Sequence, residues 1–150
     1  MNICNYNINY KTNLKIKIDK IQMATNYVSL FNEQFKEFID FIQKTFPEDS
    51  DILSAKNSLM FIRKTNPKMI VKIWKKFIAD KYKKEIETGN IDFFINKNYN
   101  EDLMRMENSD RILETINKFR EPIKLMNNDQ QDKIVKYIQT LSKLAEFCVL

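Results

Sequence analysis

The stretch Tyr27-Val-Ser-Leu-Phe-Asn-Glu-Gln-Phe-Lys-Glu-Phe-Ile-Asp-Phe-Ile-Gln-Lys-Thr-Phe46 decides the fold class. Tyr27, Phe31, Phe35, Phe38, Ile42 and Phe46 recur in steps of three and four, which is the pitch of one buried face of an α-helix. Pro47 closes this helix, because proline disfavours helical geometry at the residue before it. The acidic run Glu48, Asp49, Asp51 suits the positive end of a second helix, with Ile52, Ala55, Leu59 and Ile62 on its inner face.

The same pitch continues to the C-terminal side. Asn66-Pro67 reads as an N-cap followed by proline at the first helical position. A third helix then turns Ile70, Ile73, Trp74, Phe77 and Ile78 inward. Gly89, the one glycine in the sequence, sits where a C-terminal cap belongs. Ile91 to Ile95 reads as a short helix or a packed loop, and Asn96 to Asp102 as a loop. From Ser109 a fourth helix carries Ile112, Ile116, Phe119, Ile123 and Met126, with Pro122 expected to kink or split it. Asn128 and Gln131 have the spacing of a capping box. A last helix buries Ile134, Ile138, Leu141, Ala145 and Cys148. The expectation is an all-α bundle of about five helices.

The first 22 residues break the pattern. They are rich in Asn, Ile, Lys and Tyr, and no helical face runs through Met1 to Tyr10. We expect a disordered arm over 1–22, or a short edge strand in which Leu14, Ile16 and Ile18 alternate with lysines. Met23-Ala24-Thr25 reads as a natural start, so the arm need not be native and the helical domain is 23–150.

Composition narrows the chemistry. A chain of 150 residues, 43% hydrophobic, can close a core without staples. No histidine is present, which excludes the usual Ser-His-Asp and Cys-His nucleophiles. Two remote cysteines, Cys4 and Cys148, cannot make a Cys/His zinc site and read as free thiols of a reducing compartment. A single glycine excludes the glycine-rich phosphate loops. Carboxylate chemistry survives this filter: Glu101, Asp102, Glu107 and Asp110 cluster, but without EF-hand spacing, and read as a solvated loop. Glu85 and Glu87 read as surface residues. No cofactor, metal, membrane span or small-molecule substrate is expected, and no enzyme activity.

Charge is uneven. Residues 62–84 hold nine bases against Asp80 alone, and residues 85–114 eight acids against three bases. Lys68, Lys72, Lys75, Lys76 and Lys83 share a face opposite the apolar stripe, within residues 67–84. Such a face fits a polyanion such as nucleic acid, although lysine-coated helices are ordinary in a chain with 21 lysines and only four arginines, and arginine is the better phosphate fork. Trp74 falls inward, as core.

Ile73-Trp74-Lys75-Lys76, Tyr82, Ile86 and Gly89-Asn90-Ile91-Asp92-Phe93-Phe94 resemble uncharacterised small helical proteins of nucleocytoplasmic large DNA viruses, the giant viruses. Ile, Lys and Asn fill 58 positions and Gly, Ala, Arg and Pro only 12, the bias of an AT-rich genome, which suits that source. The resemblance implies host cytoplasm or the virion as the setting, and carries no catalytic residues. The expected function is a noncatalytic structural or protein-interaction protein, a virion component or helical oligomer. The alternative is a nucleic-acid-associated protein using the lysine face, and a carboxylate enzyme ranks last.

Overall fold

Leu14, Ile21, Val28, Phe35 and Ile42 stand seven residues apart, and in the computed structural model one continuous helix carries all five. The structure describes residues 3–150, with side chains from residue 10 onward except residue 24. Helix α1 spans Ile3–Thr45, about 64 Å at 1.5 Å per residue. Its second half is covered as the aromatic stripe requires. Val28, Phe31, Phe35, Phe38, Ile39 and Ile42 are buried, with Tyr27 and Phe46 half-buried. Its first half is not: residues 10–23 are exposed throughout.

This corrects the expected arm. Residues 10–22 are neither disordered nor a strand, because the backbone carries the helix of residues 27–45 straight through them. They do behave as an arm in projecting from the packed helices. Cys4 and the start of the arm lie outside the residues whose side chains are described.

After Pro47, α2 (Ser50–Thr65) begins on Asp49, whose carboxylate accepts from the N–H groups of Asp51 and Ile52 at 2.9 and 3.1 Å. That satisfies two of the orphan donors of a helix start. α3 (Pro67–Trp74) follows at once, but Asn66 makes no side-chain cap. The corner is held from outside instead. Asn32 on α1 is buried, donates to the Pro67 carbonyl at 2.7 Å, and offers its own carbonyl to Arg63 Nε at 3.1 Å.

The third helix is also interrupted. Lys75–Ala79 forms a π turn in which the Asp80 N–H reaches back five residues to the Lys75 carbonyl at 2.9 Å. The wider turn moves the inward face by one position. Trp74 and Ala79, five apart, are both buried, while Phe77 and Ile78 are half-buried. Then come α4 (Lys83–Glu87), Gly89 with φ +65°, α5 (Ile91–Asn96) and α6 (Asn100–Leu103). The expected 96–102 loop therefore contains the start of a short helix.

α7 (Ser109–Lys124) and α8 (Asn128–Phe147) complete the bundle. Pro122 splits the apolar pattern rather than kinking it, since α7 ends two residues later. The capping box lies one residue earlier than expected. Asn127 accepts from the Gln130 N–H at 2.9 Å, and the Gln130 side chain accepts from the Asn127 N–H at 3.1 Å. Gln131 instead donates to the Ile123 carbonyl at 3.1 Å, closing the end of α7.

The core forms where α1, α2, α3 and α8 meet. The Trp74 ring stands edge-on to Phe31, Phe35 and Phe38, with centroids 6.1–6.4 Å apart, and its indole N–H donates to Ser142 Oγ at 3.0 Å. α8 runs antiparallel to α1: Tyr137 packs on Phe38 and Phe41, and Phe147 stacks on Tyr27 at 5.1 Å. α8 therefore runs out at Tyr27, the level at which α1 becomes bare. Cys148 is buried there, and burial raises its thiol pKa, with Lys75 pulling it partly back. Among the described residues there is no strand, and no helix is long and apolar enough to cross a membrane.

Candidate interaction surfaces

Two surfaces follow from this architecture, one apolar and one basic. The apolar one is the free length of α1. Tyr10, Leu14, Ile18 and Ile21 recur by fours and a three, so they form one stripe on the helix. They are 68%, 45%, 51% and 64% exposed. Leu14 and Ile21 prolong the seven-residue line of Val28, Phe35 and Ile42, so the bundle's own packing surface continues past its end. At about 100° per residue, Lys11 and Lys15 edge the stripe on one side and Lys17 and Lys20 on the other. Phe147, Val149 and Leu150, at and just past the end of α8, are exposed apolar residues as well.

In the sequence, residues 1–22 read as a disordered arm or as an edge strand with Leu14, Ile16 and Ile18 alternating, and either reading hides this surface. The four-residue step from Tyr10 to Leu14 to Ile18 was the available signal.

The basic surface lies on α3. Lys68, Lys72, Lys75 and Lys76 fall within an arc of about 100° on the helix. Lys68, Lys72 and Lys76 are exposed, and Lys76 lies 5.2 Å from the centroid of its neighbour Phe77. Lys75 is half-buried and reaches Asp80 at 3.7 Å. Lys83 stands apart from these four. It follows the π turn and faces α8, 3.9 Å from Glu146. The structure thus groups four of the five lysines and places the fifth at a neighbouring cleft.

That cleft, about 290 Å³, opens between the π turn, α4 and α8, and carries Lys83, Lys143, Glu87 and Glu146 around Ser142 and Gln139. Its charges balance, so it favours neither anions nor cations. Among the described residues, no three His, Cys, Asp or Glu side chains are grouped to hold a metal ion.

Of the acidic cluster, Glu101, Glu107 and Asp110 are exposed, but Asp102 is not. Its carboxylate is 5% exposed and accepts from Lys81 and from the Tyr82 hydroxyl. Burial would raise its pKa. The hydrogen bonds from Lys81 and Tyr82 and the charges of Lys81 and Lys97 outweigh that and hold it below the usual carboxylate range. The phenol of Tyr82 is pushed up by burial and by Asp102. Tyr99 nearby, raised to about 12 chiefly by burial, lies under the Arg120 guanidinium, which also donates to the Lys97 carbonyl. This network ties α5 and α6 to the helices around them. Every group in it has a structural task, and Asp102 was missed because its partners lie some twenty residues away in sequence.

Compared with protein families, curated proteins and solved structures, the chain returns no match.

Proposed function

We propose that this chain is a noncatalytic protein-interaction or structural protein, and that the exposed length of α1 is its contact element. One observation carries the reading. α1 keeps the apolar repeat of a packed helix for two heptads beyond the helices that cover it. Most helical stability in proteins comes from packing of an apolar face, and contiguous exposed apolar surface on a folded protein marks sites of association. A helical oligomer or a virion component would use such an element. The resemblance of residues 73–94 to giant-virus proteins supports infected-cell cytoplasm or the virion as the setting.

A displayed library of amphipathic helices, sorted against the whole chain and re-sorted against Leu14→Asp/Ile21→Asp, tests the reading. It predicts binders that the double variant no longer retains. Binders indifferent to both substitutions, or none at all, would contradict it.

A second reading is favoured by Lys68, Lys72 and Lys76, exposed on one face with no acidic partner among the described residues. On this reading α3 contacts the phosphates of nucleic acid, with Lys75 at its edge and Lys83 outside it. Binding of duplex DNA that weakens steeply with salt and collapses in Lys72→Glu/Lys75→Glu/Lys76→Glu would support it. No binding at low salt would remove it.

A further inference from the structure

We infer that the partner of α1 is a helix whose apolar seam is edged by aspartate and glutamate. The inference rests on the reading of α1 as the contact element and adds the chemistry of what it contacts.

The shape of the partner follows from the repeat. Where Val28, Phe35 and Ile42 are covered, the neighbours of α1 are the helices α2, α3 and α8. A seven-residue spacing of apolar side chains matches a helix crossing at a small angle, with side chains of each seated between those of the other. Leu14 and Ile21 hold the same spacing with no other helix packed over them among the described residues, so the same kind of neighbour fits.

The charge of the partner follows from the edges. Lys11, Lys15, Lys17 and Lys20 line both sides of the stripe, and Asp19 is the one acid in residues 1–22. Charges flanking an apolar seam choose its partner. A second copy's arm would set lysine against lysine along the whole contact. Nucleic acid would match the lysines but leave the stripe between them wet. A bilayer surface would match both, but a helix lying there keeps its outward side polar. Here Ile16 and Met23 stand opposite the stripe, 47% and 56% exposed. An acid-edged helix satisfies the stripe and both edges together.

The test uses the whole chain and two labelled helical peptides with the same Ile/Leu seam, one edged with glutamate and one with lysine. Four exposed ion pairs are together worth about 1–2 kcal/mol, so the glutamate peptide should bind roughly tenfold tighter at low ionic strength. The gap should narrow as salt rises. Reversing the four arm lysines to glutamate should invert the preference, and Leu14→Ala/Ile21→Ala, which leaves the charges in place, should weaken both peptides. Equal affinity, or a preference unmoved by charge reversal, overturns the acidic partner but leaves α1 as the contact element. If neither peptide binds, both readings fall. Tighter binding to phosphatidylcholine vesicles containing phosphatidylserine than to the glutamate peptide overturns it in favour of a bilayer. Concentration-dependent dimers abolished by Ile21→Asp overturn it in favour of a second copy.

Discussion

Truncating the α1 repeat one position at a time should produce a step. Leu14 and Ile21 are 45% and 64% exposed, whereas Val28, Phe35 and Ile42 are 6%, 5% and 0% exposed. Leu14→Ala and Ile21→Ala remove surface contacts only and should stay within about 0.5 kcal/mol of wild type. Alanine's better helix propensity offsets part of even that. Val28→Ala deletes two buried carbons at about 0.8 kcal/mol each and leaves a small cavity, about 2 kcal/mol together. Ile42→Ala should cost about 2–5 kcal/mol and Phe35→Ala about 3–5 kcal/mol, the latter because its ring packs on Phe31, Phe38 and Trp74. Urea unfolding followed by Trp74 fluorescence, at two protein concentrations, measures this. Trp74 is the single tryptophan and is buried. A loss of more than about 1 kcal/mol at Leu14 or Ile21 in dilute solution, against the surface expectation, would show the stripe to be covered by the chain itself. The stripe would then not be a free contact surface.

Other consequences can be checked on the same assay. Asp102→Asn keeps the shape but removes the charge that Lys81 and Tyr82 stabilise. Because Lys81 is half-exposed, the cost at neutral pH should be about 1–2 kcal/mol. The folded carboxyl titrates below its unfolded value, so its contribution is present above about pH 4 and lost as pH falls through the folded value. The gap between variant and wild type should therefore close on acidification, and a gap independent of pH would refute the charge assignment. Gly89→Ala should cost about 1–2 kcal/mol from the left-handed backbone, plus a contact at 3.2 Å with Val135 Cγ1. Val135→Ala should relieve the contact and leave the strain, so full rescue would contradict the conformational reading.

The helices that were legible in the sequence are those whose stability is local. Phe31, Phe35, Phe38 and Ile42 on α1, and Ile134, Ile138 and Leu141 on α8, announce their faces by spacing alone, because one helix face meets one core. Gly89 could be placed because a cap acts on its own helix end, whereas the acidic run Glu48, Asp49, Asp51 marked the start of α2 without singling out Asp49 as its cap. The errors share a cause. Asn66 looked like a cap, but the corner is secured by Asn32, far away in sequence. The π turn has no spacing signature before Trp74 and Ala79 are seen to point the same way. Asn127-Asn128-Asp129-Gln130-Gln131 contains two overlapping capping boxes, and only packing chooses between them. The candidate surface was hidden for a different reason. Leu14, Ile16 and Ile18 satisfy a period of two as well as Tyr10, Leu14, Ile18 and Ile21 satisfy the helical one, and nothing local decides. The helix from Tyr27 decides it, by extending backward through them.

Small-angle X-ray scattering from the monomer addresses the central claim, that α1 outruns the bundle built on it. With 43 residues in α1, the longest dimension should be no less than about 64 Å, and the radius of gyration should exceed the roughly 15 Å of a compact chain of this length. A radius of gyration at that compact value would mean the arm lies folded against the bundle, its apolar stripe already covered, and would contradict the account.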